Sequence, residues 1–213
     1  MTQNSNRPVQ PVPQLEIVPA SRADTDRTAA VLAEAFATDP HVVGLLPHGD
    51  VLEALTLLWR RIIREAFAAG GHVYLAVRPG EERPLGAALW TAPGTKVSFP
   101  RMLPGVVSYA RIFRTRFPDA LATELLTQRA QPTSPHWYLK ALATAPGAQG
   151  TGVGSRLLED RLADIDRQHA GAYLEASTTD LVPYYERFGF RSRGPVACRG
   201  TVPAIGMWRP PAD

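Results

Sequence analysis

The run Gln149-Gly150-Thr151-Gly152-Val153-Gly154 carries the clearest chemical signal in the chain. It joins a strand-like stretch ending near Thr144 to an amphipathic pattern marked by Val153, Leu157, Leu158, Leu162 and Ile165. The first N–H groups of a helix lack internal acceptors and carry the positive end of its dipole, so a phosphate placed there accepts those hydrogen bonds directly. Glycines at 150, 152 and 154 let the backbone approach such a group and adopt the dihedrals a tight cradle needs, and the Gln149 amide can add a donor. No Lys-Ser or Lys-Thr pair follows the glycines, which excludes a Walker A loop. A dinucleotide-binding turn stays open on these residues alone. Glu175 lies at about the right distance along the chain, although the spacing is Gly-x-Gly-x-Gly rather than Gly-x-Gly-x-x-Gly.

Other chemistries find less support. There is no Gly-x-Ser-x-Gly elbow, and the five histidines lack metal-ligand spacing. The single cysteine, Cys198, excludes an intrachain disulfide and reads as a small buried hydrophobe. That usage fits a reducing cytoplasm. A net charge of +3, without a basic run interleaved with aromatics, argues against nucleic-acid binding. No apolar run is long enough to span a bilayer, and the first residues lack the layout of a secretory signal.

The elements that must position the glycine turn follow from periodicity and punctuation. Residues 1–14, rich in Pro, Gln and Asn, read as a flexible tail, and 15–213 as one domain. Leu15 to Val18 reads as a strand, followed by a helix from a Ser21 or Asp24 cap to about Ala37, broken at Asp39-Pro40. Leu52, Leu55, Trp59, Ile62, Ile63 and Ala66 mark a second helix, stopped by Gly70-Gly71. Strands follow at 72–77 and 85–90, then amphipathic helical patches at about 105–116 and 118–129. The strand from His136 to Thr144 leads into the glycine turn and its helix. A strand at 172–177, a short helix at 181–188 stopped by Gly189, and strands at about 190–195 and 201–209 complete the chain.

Taken with its neighbours, the turn resembles that of the GNAT superfamily of N-acetyltransferases. Gln149, Gly152 and Gly154 match the signature of Gln or Arg, two residues, Gly, one residue, then Gly or Ala. His136-Trp137-Tyr138-Leu139, Leu142-Ala143-Thr144 with Pro146, and Tyr173-Leu174-Glu175-Ala176-Ser177 extend the likeness. Val182-Pro183-Tyr184-Tyr185-Glu186-Arg187-Phe188-Gly189-Phe190 is its most specific block. That wording and the ending Met207-Trp208-Arg209-Pro210 are most similar to the puromycin N-acetyltransferase-like small-molecule enzymes. Thr178 and Leu181 depart from those relatives, which commonly carry asparagines there.

The resemblance implies a mixed α/β domain whose central, mostly antiparallel sheet of six to seven strands splays at the cofactor cleft, flanked by helices. It implies acetyl-CoA as cofactor, held by Leu142, Ala143, Thr144, Gln149, Gly150, Thr151, Gly152, Val153, Gly154 and Ser155. It places the general acid on Tyr185 and offers Glu175 as base or substrate anchor. Trp137 and Tyr184 become candidates for the substrate pocket, with Asp39, His48 and Glu53 in the region where the family builds it. The implied acceptor is a small-molecule amine, possible antibiotics included, with a peptide acceptor or a non-catalytic acyl-CoA-binding module as alternatives. No metal, nucleic acid or membrane enters, and the expected assembly is a monomer or homodimer.

Overall fold

The structure, a computed structural model, describes residues 15–95 and 99–212. The expected tail at 1–14 lies outside the described residues. Seven strands form one sheet in the order β1-β2-β3-β4-β5-β7-β6. They are β1 (Glu16–Pro19), β2 (His72–Val77), β3 (Gly86–Thr91), β4 (His136–Thr144), β5 (Gly171–Ala176), β6 (Arg191–Pro195) and β7 (Ile205–Arg209). Every neighbouring pair is antiparallel except β4 and β5. The expected fold is borne out.

Helices cover both faces, because the central strands β3 and β5 are buried almost along their lengths and neither face can meet water. Against one face pack α1 (Thr25–Phe36) and α3 (Val51–Ala68), whose Val31, Leu32, Leu55, Trp59 and Ile63 are buried. The opposite face carries α6 (Val153–Arg167), through Leu157, Leu158, Leu162 and Ile165. On α6, Arg161 spreads its guanidinium over the rings of Tyr74 and Trp137 at 4.8 and 5.0 Å, and Arg209 of β7 pairs with Asp166.

The remaining helices are α2 (Pro40–Val43), α4 (Phe99–Phe113), α5 (Phe117–Ala130) and α7 (Val182–Glu186). Asp39-Pro40, expected as a helix break, also begins α2: Asp39 Oδ1 accepts the Val42 N–H at 2.9 Å, and Pro40 occupies the first turn. Helix α4 starts before its expected bound, and β7 starts later, at Ile205.

Two irregularities in β4 prepare the site. Leu89 pairs with Ala141 while Trp90 pairs with Leu139, so Lys140 is an extra residue in β4. Such a bulge bends and twists its strand. Its other neighbour, β5, stays in register only from His136↔Gly171 to Leu139↔Leu174. Beyond the bulge β4 runs on to Thr144 beside β3 alone, whereas β5 continues beside β7, with which it pairs from Ala172 to Ala176. The two strands therefore part just where Lys140 and Glu175 begin.

Candidate active site

The glycine turn sits at the open end of this splay. After Thr144 the chain is anchored by the Ala145 N–H, which donates to the Leu85 carbonyl at 2.8 Å. A 3-10 turn at Pro146–Ala148 follows, and the Thr151 hydroxyl closes it on the Ala148 carbonyl at 2.6 Å. Gly150 and Gly152 have φ of +76° and +86°. A Cβ on either would meet nothing within 4 Å, so backbone conformation rather than space requires glycine there. Gly154 differs. Its added Cβ would lie 3.1 Å from the Tyr184 hydroxyl and 3.2 Å from Thr144 Oγ1.

Arg156 donates its N–H to the Gly152 carbonyl at 2.9 Å, which closes the first turn of α6. Helical geometry leaves the N–H groups of Val153, Gly154 and Ser155 without an acceptor inside the helix. The first turn holds no acidic side chain to compete for them. Buried Val153 pins the turn against Gly86, where any Cβ would come within 2.8 Å of its methyl. These residues fit an anionic group such as the diphosphate of CoA.

Across the splay, β5 supplies Glu175. The Tyr138 hydroxyl on β4 donates to Glu175 Oε2 at 2.7 Å. The Tyr173 hydroxyl is a second neighbour, its ring lying over Gly206, where a Cβ would come within 2.7 Å of that oxygen. Oε1 is buried, and among the described residues it has no hydrogen-bond partner. Burial pushes the Glu175 carboxyl up to about 7, while the Tyr138 hydrogen bond and then the charge of Lys140 pull the other way. Lys140 also pairs with Glu124 of α5 at 3.6 Å, and its charge holds the Glu124 carboxyl below its ordinary value.

On α7, Pro183 sits in the first turn and carries Tyr184 and Tyr185 behind it. Tyr185 is buried, its ring edge-on to Tyr184 at 5.0 Å and to Phe190 at 6.1 Å. Burial first, then Tyr184 and Asp39, push its phenol upward, so it stays protonated at neutral pH. Gly189, at φ +83°, ends the segment and releases β6.

The candidates divide between the two sides of the sheet. Glu175 and Tyr138 share one face, with Lys140 over the Tyr138 ring. Trp137 does not join them. Neighbouring side chains on a strand point to opposite faces, and Trp137 is buried against α6, donating Nε1–H to Gln168 Oε1 at 3.2 Å. Tyr184 reaches the start of α6 rather than Glu175. Asp39 caps α2 and its charge bears on Tyr185, whereas His48 and Glu53 are exposed. Tyr138, Tyr173, Lys140 and Glu124 received no role from the sequence. Strand parity held a signal for the first two, since Tyr138 must face away from Trp137 and Tyr173 must share the face of Glu175.

Among the described residues no group of three or more His, Cys, Asp and Glu is placed to hold a metal, and no helix is long and apolar enough to cross a membrane. A buried carboxyl poised near neutrality can take a proton, and a protonated phenol can give one.

The fold and sequence have known counterparts. Residues 122–209 match the model of the acetyltransferase (GNAT) domain. The structure of histone acetyltransferase HPA2 and related acetyltransferase from Corynebacterium glutamicum is 33% identical, with a TM-score of 0.73, covering 93% of this chain and 97% of that one. Two more distant structures share the fold alone. The NatC complex bound to Gag peptide and CoA is 13% identical at a TM-score of 0.56, over 93% of this chain and 99% of that one. The ribosomal-protein-S18-alanine N-acetyltransferase from Escherichia coli is 15% identical at 0.54, over 94% and 96%. With one third of its residues shared across nearly the whole length of the Corynebacterium protein, the chain belongs to the GNAT family of acetyltransferases.

Proposed function

We propose that the protein moves acetyl from acetyl-CoA to the primary amine of a small molecule by direct transfer in a ternary complex, residues 15–213 acting as one domain in the cytoplasm. The observation that carries the reading is the buried Glu175 carboxyl, with one oxygen uncommitted, where β4 and β5 part. The turn from Gln149 to Ser155 would hold the diphosphate, and Leu142, Ala143 and Thr144, beyond the last β4–β5 pair, would offer backbone groups to the pantetheine and the thioester carbonyl. Glu175 would take a proton from the incoming ammonium, directly or through one water. The amine nitrogen would then bond to the carbonyl carbon, the carbon–sulfur bond would break, Tyr185 would give its proton to the leaving sulfur, and the second proton of the nitrogen would pass to the Tyr185 oxygen as the neutral amide forms. A phenol raised by burial is a weaker acid than a thiol, which ionises at about 8.5, so the transfer would proceed because the same oxygen takes up the nitrogen's proton.

A small acceptor is favoured by the pinning of the β6–β7 connection. Arg116 donates to the Gly44 carbonyl at 2.7 Å and to that of Gly200. The Thr201 hydroxyl donates to the His41 carbonyl at 2.6 Å. Thr123 exchanges hydrogen bonds with the Arg199 backbone. These ties fasten the β6–β7 connection to the segments that follow Asp39 and carry Glu124. The likeness of Val182 to Phe190 to puromycin N-acetyltransferase-like enzymes supports the same class. The test is thiol release from acetyl-CoA with a panel of small amines, polyamines and peptides. Turnover restricted to peptides would overturn the acceptor class, and CoA binding without turnover on any amine would leave a binding module.

A further inference from the structure

Tyr184 presents a buried polar atom that the transfer reaction as described does not use. Its hydroxyl oxygen is shielded from solvent and, among the described residues, has no hydrogen-bond partner of acceptable geometry. Ser155 stands near enough to favour its ionised form a little, yet burial dominates and pushes the phenol upward, so it remains a donor at any pH the enzyme would work at. A buried hydroxyl without a partner is costly, and native structures keep one where a ligand completes it.

Three observations say where that ligand lies. The hydroxyl is 3.1 Å from the Cβ position of Gly154, the second residue of α6, and Thr144 Oγ1 converges on the same point at 3.2 Å. The ring packs edge-on against Tyr185 at 5.0 Å and Phe188 at 5.3 Å, which directs the hydroxyl toward the start of α6. The Arg187 guanidinium covers the ring at 5.2 Å, adding positive charge to the same end of the cleft. Donors and positive charge thus gather around the helix N-terminus, on the far side of the sheet from Glu175.

We infer that the Tyr184 hydroxyl donates a hydrogen bond to the cofactor's diphosphate at the start of α6, making it a cofactor-binding residue and not part of the amine pocket. This rests on the reading of the glycine turn as a CoA site. A phosphate oxygen held there by the Gly154 and Ser155 N–H groups has the hydroxyl as a further donor, and hydrogen bonds to an ionised acceptor are the strong ones. Gly154 must stay small for the same reason, since a methyl would intrude between hydroxyl and phosphate.

The experiment compares wild type with Tyr184→Phe, which keeps the ring and its stacking. Calorimetric titration with CoA should give a dissociation constant weaker by about tenfold or more in the variant. The melting temperature without ligand should be unchanged or higher, because a costly buried hydroxyl is gone, while the rise produced by CoA shrinks. Pantetheine, which has no diphosphate, should bind both proteins alike. Equal CoA affinity in the two proteins would overturn the inference, as would an equal loss for pantetheine or a rise confined to the KM of the amine. Failure of wild type to bind CoA is a distinct result: it would remove the reading of the turn itself.

Discussion

The Tyr138 hydroxyl donates to Glu175 Oε2 at 2.7 Å across two parallel strands, next to the last register they share. One strand thereby controls the acidity of a carboxyl on the other at the point where they separate. Glu175 is raised to about 7 by burial, and Tyr138 is the strongest influence holding it from rising further.

Removing that hydroxyl should move the pH dependence of catalysis. In Tyr138→Phe the Glu175 carboxylate loses a charged hydrogen bond worth about 1.5–3 kcal/mol, equivalent to roughly one to two pH units. The acid limb of kcat/KM should shift to higher pH, with a smaller effect on the plateau. A limb that stays in place would show that Glu175 is not the group titrating.

The same carboxyl should mark the stability curve. Its folded value of about 7 lies above the ordinary 4.5, so its contribution is fully present below about pH 4.5 and is lost as pH rises through 7. Glu175→Gln carries no such titration. The variant should gain on wild type between pH 5 and 8, by on the order of 3 kcal/mol at most, and match it in acid. Chemical unfolding at several pH values checks this, and parallel curves would contradict it.

Tyr185→Phe should lower turnover by one or more powers of ten while CoA still raises the melting temperature, because the role proposed for the lost group is at the leaving sulfur and not at the diphosphate. Wild-type rates of thiol release in the variant would end the assignment of the acid.

Gly152 and Gly154 should fail differently when replaced by alanine. Gly152→Ala forces a side chain into the left-handed region at φ +86°, costing about 1–2 kcal/mol of stability. Gly154→Ala lies in ordinary helical conformation and should cost less stability than Gly152→Ala, yet weaken CoA, because its methyl enters the space between Tyr184 and Thr144. Paired melting and titration measurements separate the two effects.

The sequence made much of this arrangement legible. The apolar spacing of Leu157, Leu158, Leu162 and Ile165 marks α6, and the alternate glycines mark the left-handed turn at its start. The bulge at Lys140 was not legible, because His136 to Thr144 reads as an uninterrupted strand and a bulge is set by the partner's register. For the same reason the Tyr138–Glu175 contact was hidden: it depends on a parallel pairing formed only after α6 crosses the sheet. Trp137, expected near the substrate pocket, packs against α6, and its neighbour Tyr138 takes the face of Glu175, a division that strand parity alone implies. Asp39-Pro40 reads as a stop in the sequence, and the same two residues also start a helix.

The most direct test is the rate of thiol release from acetyl-CoA with an accepted amine, followed across about pH 5 to 9 in wild type and Glu175→Gln. A general base of pKa about 7 gives a wild-type kcat/KM that climbs through neutrality. The variant should then be flat in that range and lower by about a hundredfold or more. A variant that keeps both the wild-type rate and its climb through neutrality would contradict the role assigned to Glu175.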